Sequence, residues 1–250
     1  MGFESGGRLA RERAFHNKRF ALNGRQEQGK YYWAIEAGKQ KYLERIHRFS
    51  NHADIFELGC GMGDNIFASR AGFRSAGGID ISDFAIHQAN EAAGERGLPN
   101  VKFFCGDAEN VPLPDASLDL VFGSGIVHHL NLERCTREVS RLLRPGGIAL
   151  FWEPLGHNPF INLYRRLTPE ARTEDEHPLL RQDFNTFGRF FPSPEIEFFG
   201  LTSLATVPIR NIQALRWTRH VATSIDRLLF MVPCVKWSAW YSLITLRKPA

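Results

Sequence analysis

The sequence predicts an α/β fold built on a mostly parallel sheet, and two observations lead to this prediction. From residue 53 onward, short apolar runs alternate with segments of helical periodicity, which is typical of a parallel sheet wrapped by helices. The first apolar run passes directly into a glycine-rich turn, ELGCGMGDN at 57–65, of the kind that joins a strand to a helix. A chain of 250 residues with 43% apolar and 23% charged residues is a folded protein large enough to bury such a core.

Five strands are expected between residues 53 and 153, at 54–58, 76–81, 101–104, 118–123 and 148–152. The helix after the first strand opens at Gly63 or Asp64. The next helix begins after Ser82, whose hydroxyl is suited to cap its N-terminus, and ends at the GlyLeuProAsn of 97–100. A further helix covers 131–143, and the ArgProGlyGly of 144–147 is expected to stop it before the fifth strand.

The remaining segments are predicted to flank a core that spans 51–153. Residues 1–50 carry eleven Lys or Arg against five Glu and are expected to form a helical lid, with its basic side chains solvated or facing an anionic partner. Residues 154–194 are rich in Pro, Arg and aromatic residues and are interpreted as a substrate cap. Within 195–250, strand-like runs at 195–207 and 239–246 are expected to close the sheet as an antiparallel pair.

The composition excludes several classes of protein. Cys60, Cys105, Cys135 and Cys234 stand far apart without a CxxC pair, so neither a zinc knuckle nor a disulfide framework is expected. No secretory leader and no apolar stretch long enough to span a bilayer is recognised, and a cytoplasmic protein is therefore predicted. The stretch 216–241 mixes basic, Trp and aliphatic residues, which leaves packing on the sheet, an apolar channel or peripheral membrane contact open.

The turn at 57–65 has glycines at every second position, Gly59, Gly61 and Gly63. Glycine lets the backbone approach a ligand closely, and the N-terminus of the following helix offers free N–H groups. A dinucleotide-binding turn would need its third glycine at the position of Asp64. The spacing therefore indicates a nucleotide-type pocket of another kind.

Acidic residues follow the next two strands. Asp80 ends the second strand, where a carboxylate can accept hydrogen bonds from both hydroxyls of a ribose. Asp107 follows the third strand, where it can accept from an adenine amino group while the Ala108 N–H donates to a ring nitrogen. A lone Asp after a strand more commonly caps a helix, but glycines, Asp80 and Asp107 at three successive strand ends indicate one adenosyl site.

With the acidic Glu57 ahead of it, the turn resembles motif I of the class I S-adenosylmethionine-dependent methyltransferases. The resemblance continues in LDLVFGSGIVHHL at 118–130, similar to the motif IV region of ubiquinone/menaquinone-type and other small-molecule methyltransferases, and in LLRPGGIALF at 142–151. It covers about residues 53–153. It implies a Rossmann-like three-layer sandwich with a seven-stranded sheet of order 3-2-1-4-5-7-6, in which only the seventh strand is antiparallel.

The resemblance also implies the cofactor, S-adenosyl-L-methionine, and the residues that bind it. The expected cofactor-binding residues are Tyr32, Glu57, Gly59, Cys60, Gly61, Gly63, Asn65, Asp80, Ile81, Asp107, Ala108, Glu109, Gly123 and Ser124. Tyr32 belongs to this set because Tyr31, Tyr32 and Trp33 look like the lid that closes over the cofactor in such enzymes. An aromatic cluster that packs the first helix on the core is the alternative.

Catalytic residues are expected after the fourth and fifth strands. Related small-molecule O-methyltransferases use a His and an acid there, and this chain has His128, His129 and Glu153. Adjacent helical residues point about 100° apart, so at most one histidine is expected to face the methyl group. Structural packing is the alternative for each histidine, and for Glu153 the alternative is to hold the cap through an Arg such as Arg165 or Arg166.

No metal site is predicted. His157 and His177, with Asp175 and Glu176 beside the latter, have side chains of the type that bind metals. Neighbours in sequence, however, rarely converge on one ion. A cap held together by Arg to Glu contacts is favoured for this segment.

The predicted function is transfer of a methyl group to a small acceptor that is lipophilic or aromatic, such as a natural product or a quinone- or lipid-like metabolite. Two alternatives stay open, methylation of RNA or protein, and a noncatalytic S-adenosylmethionine-binding module. Enzymes that methylate amino groups of nucleic acids commonly carry an Asn/Asp-Pro-Pro-Tyr-like tetrad after the fourth strand, where this chain has GSGI at 123–126. No nucleic acid partner is therefore expected.

Overall fold

The architecture is known from a computed structural model, which describes residues 2–21, 29–69, 72–169 and 176–250. Its centre is a seven-stranded sheet of order β3-β2-β1-β4-β5-β7-β6. The strands are β1 (Asp54–Leu58), β2 (Ser75–Asp80), β3 (Val101–Cys105), β4 (Leu118–Ser124), β5 (Leu143–Pro154), β6 (Glu195–Phe199) and β7 (Tyr241–Arg247). Strands β1 to β5 pair in parallel, whereas β7 runs antiparallel to both β5 and β6. The predicted fold class, strand order and antiparallel seventh strand are confirmed.

Helices cover both faces of the sheet. They are α1 (Gly2–Ala21), α2 (Gly29–Tyr32), α3 (Glu36–Ser50), α4 (Asp64–Ala68), α5 (Asp83–Glu95), α6 (Leu132–Leu142), α7 (Pro159–Leu167), α8 (Phe184–Phe190) and α9 (Trp217–Leu229). The side chains of Ser82, Asn131 and Asn158 each accept a hydrogen bond from a backbone N–H of the following first turn. These caps fix where α5, α6 and α7 begin.

The sheet separates two apolar cores because successive residues of a strand point to opposite faces. On β4, Val121 packs in the core formed with α6 and α8, whereas Leu120 and Phe122 pack in the core formed with α3 and α5. All three are fully buried. A sheet that is covered on both faces leaves its carboxyl edge as the place where polar side chains and backbone groups can meet a ligand.

Two predicted elements have different bounds in the structure. Strand β5 already begins at Leu143, so 144–147 forms an irregular start of the strand, with a register shift opposite Leu118 and Leu120. The predicted strand 195–207 is wrong beyond Phe199, since Thr202–Ile209 is a 3-10 helix. Asp226 of α9 causes this change, because its carboxylate accepts hydrogen bonds from the backbone N–H and hydroxyl groups of both Thr202 and Ser203.

Helix α9 packs on the protein with one face only. Ala222 and Asp226 are buried, whereas Trp217, Val221 and Leu228 are exposed. Packing on the protein, one of the roles that the sequence left open for this stretch, therefore applies to the buried face of α9. In the described ranges no helix is both long enough and apolar enough to cross a bilayer.

Candidate active site

A small cavity of about 60 Å³ lies at the carboxyl ends of β1, β2, β3 and β4. Parallel strands end at the same edge, so residues that are far apart in sequence meet there. Of the predicted cofactor-binding residues, its walls contain Gly59, Asp80, Ile81, Asp107, Ala108 and Ser124. The structure therefore brings the glycine turn and both predicted acids together in one cavity.

The glycine turn needs glycine at each of its three positions. Gly59, Gly61 and Gly63 have φ angles of 65°, 53° and 83°, which side chains rarely tolerate. A Cβ on Gly63 would also lie 2.6 Å from Phe103, and one on Gly61 would lie 3.1 Å from Phe20 of α1. The missing side chain of Gly63 therefore allows core packing at the start of α4. That of Gly61 allows Phe20 of α1 to lie close to the turn.

Asp80 is held in the cavity wall by the backbone. Its Oδ2 accepts from the Gly61 N–H at 2.8 Å and its Oδ1 accepts from the Ser82 N–H at 2.9 Å, and the residue is only 8% exposed. A carboxylate has about four acceptor positions. Two positions thus remain for hydroxyl groups of a ligand.

Glu57 lies buried beneath the turn. Its Oε1 accepts from the Asn65 side-chain amide at 2.5 Å, whereas its Oε2 has no hydrogen-bond partner in the described part of the chain. Burial raises the pKa of Glu57 to about 8, although the hydrogen bond from Asn65 and the charge of Lys39 act in the opposite direction. A nearby cation would restore the charged form.

The other predicted cofactor residues lie in the core or contact neighbouring elements. The Cys60 side chain packs in the core with α3 and α5, and a Cβ on Gly123 would collide with Ile126 at 2.6 Å. The Glu109 carboxylate pairs with Arg8 of α1 and accepts from the Asn131 N–H. Its backbone N–H in turn donates to Asp107 Oδ1 at 2.8 Å.

Helix α1 covers the small cavity. The residues of α1 that line this cavity are Arg8, Leu9, Glu12, His16 and Phe20. Asn17 fastens the helix to the start of α5, because its side chain accepts from the Ser82 hydroxyl and donates to Asp83. This face was not predicted from the sequence, although the four-residue spacing of 8, 12, 16 and 20 is typical of one side of a helix.

A second cavity of about 400 Å³ lies beside the first. Its aromatic walls are Tyr31, Tyr32, Trp152, Tyr164, Trp240 and Tyr241. Tyr32 was predicted to contact the cofactor, but the structure places it in this larger cavity, stacked on Trp240 with ring centroids 6.0 Å apart. Ser124, Gly125 and His129 line both cavities, so the two spaces meet at the end of β4.

His128 and Glu153 form a buried pair beside this junction. His128 Nδ1 lies 2.7 Å from Glu153 Oε2, and Glu153 Oε1 accepts from the N–H groups of Ile126 and Val127 at 2.9 Å each. A carboxylate can only accept, so the proton of neutral His128 is assigned to Nδ1. His128 Nε2 is then an acceptor, and it lies 3.9 Å from Glu176 Oε1 of the larger cavity.

His129 stands between the cavities and is held neutral. Burial lowers the pKa of His129 to about 2, with further contributions from the neighbouring His128, His16 and Arg19. Its Nδ1 lies 3.6 Å from Glu12 Oε2 of α1. The two adjacent histidines therefore face different partners, His128 the carboxylate of β5 and His129 the helix that covers the small cavity.

The histidines of the predicted cap have local partners. His157 Nε2 accepts from the Arg181 N–H at 3.0 Å, and His177 Nε2 lies 3.3 Å from Asp183. Asp175 lies outside the described residues. Glu176 is the member of this group that reaches the larger cavity.

Comparison with known proteins agrees with this geometry. Residues 56–151 match the family model described as "Methyltransferase domain". An uncharacterized methyltransferase, YcgJ of Bacillus subtilis, is 31% identical over 37% of this chain and 37% of its own length. Ajmaline N-methyltransferase of Rauvolfia serpentina is 28% identical over 72% of this chain and 59% of its own length. The chain thus spans less than two thirds of the length of each of these two relatives.

A solved structure extends the comparison to the fold. Geranyl diphosphate C-methyltransferase from Streptomyces coelicolor A3(2), in complex with Mg²⁺, geranyl diphosphate and S-adenosyl-L-homocysteine, has a TM-score of 0.63 and 14% identity, covering 85% of this chain and 79% of that one. At this identity the likeness concerns the fold. It extends beyond the residues matched by the family model to most of the chain.

Proposed function

We propose that the protein is a class I S-adenosylmethionine-dependent methyltransferase that transfers a methyl group from this cofactor to a small lipophilic or aromatic acceptor. The match of residues 56–151 to a methyltransferase domain supports this proposal. One observation carries the proposal: the two cavities meet at Ser124, Gly125 and His129. A cofactor bound on one side and an acceptor on the other would be in contact there. The cofactor supplies an electrophilic methyl group when it is bound.

The small cavity has the chemistry that this cofactor requires. Asp80 retains acceptor positions for two ribose hydroxyls. Beneath the turn, the Oε2 of buried Glu57, which has no hydrogen-bond partner among the described residues, favours a nearby cation such as the ammonium group of the methionyl end. Ligand pockets commonly hold about 300–1,000 Å³, far more than the 60 Å³ present here. Entry of the cofactor therefore requires a shift of α1, which makes this helix the moving part of the predicted lid.

The larger cavity suits an apolar or aromatic acceptor. Its volume of about 400 Å³ lies within the range for small-molecule sites. Six aromatic residues line it together with charged side chains such as Lys39 and Glu176, and aromatic rings stack on flat or extended apolar ligands. The predicted cap borders it through Ile161 and Tyr164 of α7. We assign residues 1–50 to the cofactor side, 154–194 to the acceptor side and 195–250 to closing the core of 51–153.

His128 is the proposed general base for an acceptor that loses a proton. Its Nε2 faces the larger cavity, where it would take a proton from a hydroxyl or amine of the acceptor. Glu153 is a positioning residue, because it fixes the tautomer of His128 and stabilises the imidazolium that forms. The Glu153 carboxylate is itself held by two backbone N–H groups, so the base keeps its orientation without the acceptor.

A cytoplasmic location stays a prediction that the free thiols support, since Cys60, Cys105, Cys135 and Cys234 are all unpaired.

The function is tested by incubating the full chain with methyl-labelled cofactor and a panel of acceptors. We expect labelled product with flat or extended apolar phenols, amines or quinols, and none with nucleosides or free amino acids. Methylation of RNA or protein under the same conditions would overturn the proposed acceptor class.

A further inference from the structure

Glu12 of α1 is a buried carboxylate without a matching hydrogen-bond donor. The residue is 5% exposed, and neither of its carboxylate oxygens has a hydrogen-bond partner among the described residues. Burial of a charge without a compensating partner is unfavourable. A carboxylate in this position therefore calls for a cation that the side chains around it can share.

Two imidazole nitrogens face the same oxygen. Glu12 Oε2 lies 3.3 Å from His16 Nε2 and 3.6 Å from His129 Nδ1, and ligand atoms of the three residues all lie within 4.8 Å of one another. His129 Nδ1 also has no hydrogen-bond partner among the described residues. A tetrahedral zinc site with bonds of about 2.0–2.1 Å places neighbouring ligand atoms about 3.4 Å apart, close to both measured distances.

We propose that Glu12, His16 and His129 form a binding site for a divalent transition metal, with Zn²⁺ as the preferred ion. The sequence predicted no metal, because the first two ligands lie more than 100 residues from the third in the chain. Glu12 and His16 stand four residues apart on one face of α1, the spacing at which two helical side chains reach the same point. Two imidazoles and one carboxylate suit zinc, whereas Mg²⁺ and Ca²⁺ prefer oxygen ligands.

The metal would connect α1 to the turn after β4. Because α1 covers the small cavity, the bound ion would hold this helix in the position seen in the structure.

The site is tested with the full chain and Co²⁺ as a spectroscopic probe. We expect one equivalent of Co²⁺ to give the d–d absorption of a nitrogen and oxygen site, without the charge-transfer band that a cysteine ligand would add, and Zn²⁺ to displace it. Glu12→Gln and His16→Gln should each weaken binding at least about tenfold, since even the outer partners of metal ligands contribute 10–100-fold.

A matched control is available on α5. His87 and Glu91 have the same four-residue spacing and lie 3.5 Å apart, but their side chains are 71% and 54% exposed. His87→Gln should bind Co²⁺ as the wild type does. Thermal unfolding of every variant without metal verifies that it folds. The absence of stoichiometric binding, or equal binding by wild type, Glu12→Gln and His16→Gln, would overturn the site.

The connection to α1 has a separate readout in limited proteolysis. We expect Zn²⁺ to slow tryptic cleavage within α1, for example after Arg13, in the wild type and in His87→Gln. The Glu12→Gln variant should be cleaved at the same rate with and without Zn²⁺, which also controls for any effect of the ion on trypsin. Equal cleavage of wild-type α1 in both conditions would contradict the holding role.

Discussion

The two cavities on either side of Ser124 and Gly125 are built in different ways. The small cavity is formed where β1 to β4 end, by residues that lie at or just after the strand ends and by one face of α1. The larger cavity is lined by residues drawn from positions 19 to 241. The floor of the proposed adenosyl side therefore depends on short contiguous motifs, while the proposed acceptor side depends on packing between distant segments, which can change while the fold is kept.

The largest expected effect concerns the base at the junction. His128→Ala should lower turnover by about 10²–10⁴-fold and leave the affinity for S-adenosylhomocysteine within about twofold, because His128 lies on the acceptor side. Glu153→Gln should lower turnover comparably, since its amide would donate to Nδ1 and leave Nε2 carrying the proton. Turnover and calorimetric binding separate the two effects.

Glu176→Gln is the control for this pair, because it changes a carboxylate of the same cavity without touching the bond between His128 and Glu153. It should change turnover far less than either variant. Unchanged rates in both His128→Ala and Glu153→Gln would eliminate the base and leave only positioning of the acceptor.

The next largest effect tests the adenosyl side. Asp80→Ala should weaken binding of S-adenosylhomocysteine by about 100-fold or more, because hydrogen bonds to a charged group contribute about 1.5–3 kcal/mol each. Asp83→Ala is the matched control, since Asp83 begins α5 and contacts Asn17 of α1. Calorimetry that finds equal affinities for wild type and Asp80→Ala would contradict the assignment of the small cavity.

A smaller effect is expected on the acceptor side. Tyr164→Ala should raise KM for the acceptor about 10- to 100-fold, as expected from losing an aromatic contact of about 1.5–3 kcal/mol, with cofactor affinity unchanged. Leu163→Ala, one residue earlier and 57% exposed, should leave both constants as they are. A change in cofactor affinity with Tyr164→Ala would mean that the cavities are not independent.

The smallest effect concerns stability and Glu57. Its pKa of about 8 in the folded state lies above its value in the unfolded chain, so the folded state holds the extra proton between about pH 4.5 and 8. The free energy of unfolding should therefore fall as pH rises through this window, by about 1 kcal/mol between pH 6 and 7 from this residue. Glu57→Gln should flatten that slope in denaturant titrations; an identical slope would rule out a buried protonated Glu57.

The same difference between local and distant information explains what the sequence could predict. The glycine turn, the Ser82 cap and the acids at two strand ends depend on neighbours within a few residues, so their positions follow from the motif. The pairing of His128 with Glu153 was not predicted, although both residues were identified, because it depends on the register of β4 with β5. In this pairing β5 already begins at Leu143. It therefore includes residues 144–147, which were predicted to lie between the helix and the strand.

Contacts between distant elements explain the other features that could not be predicted from the sequence. Tyr32 was predicted to contact the cofactor because its sequence neighbourhood resembles a lid. The structure stacks its ring on Trp240 in the larger cavity, and the cofactor contact stays a prediction. The 3-10 helix at 202–209 depends on the carboxylate of Asp226, more than 20 residues away. The helix face that covers the small cavity had a visible spacing, but only the packing of α1 reveals what it covers.

The most direct test of the account is a crystal structure of the full chain with S-adenosylhomocysteine. We expect the ligand at the carboxyl ends of β1 to β3, with its ribose hydroxyls on Asp80, its adenine beside Asp107 and α1 moved outward to make room. A ligand bound elsewhere, or an Asp80 carboxylate that keeps only its two backbone hydrogen bonds beside the bound nucleoside, would contradict the claim that this sheet edge is the adenosyl site.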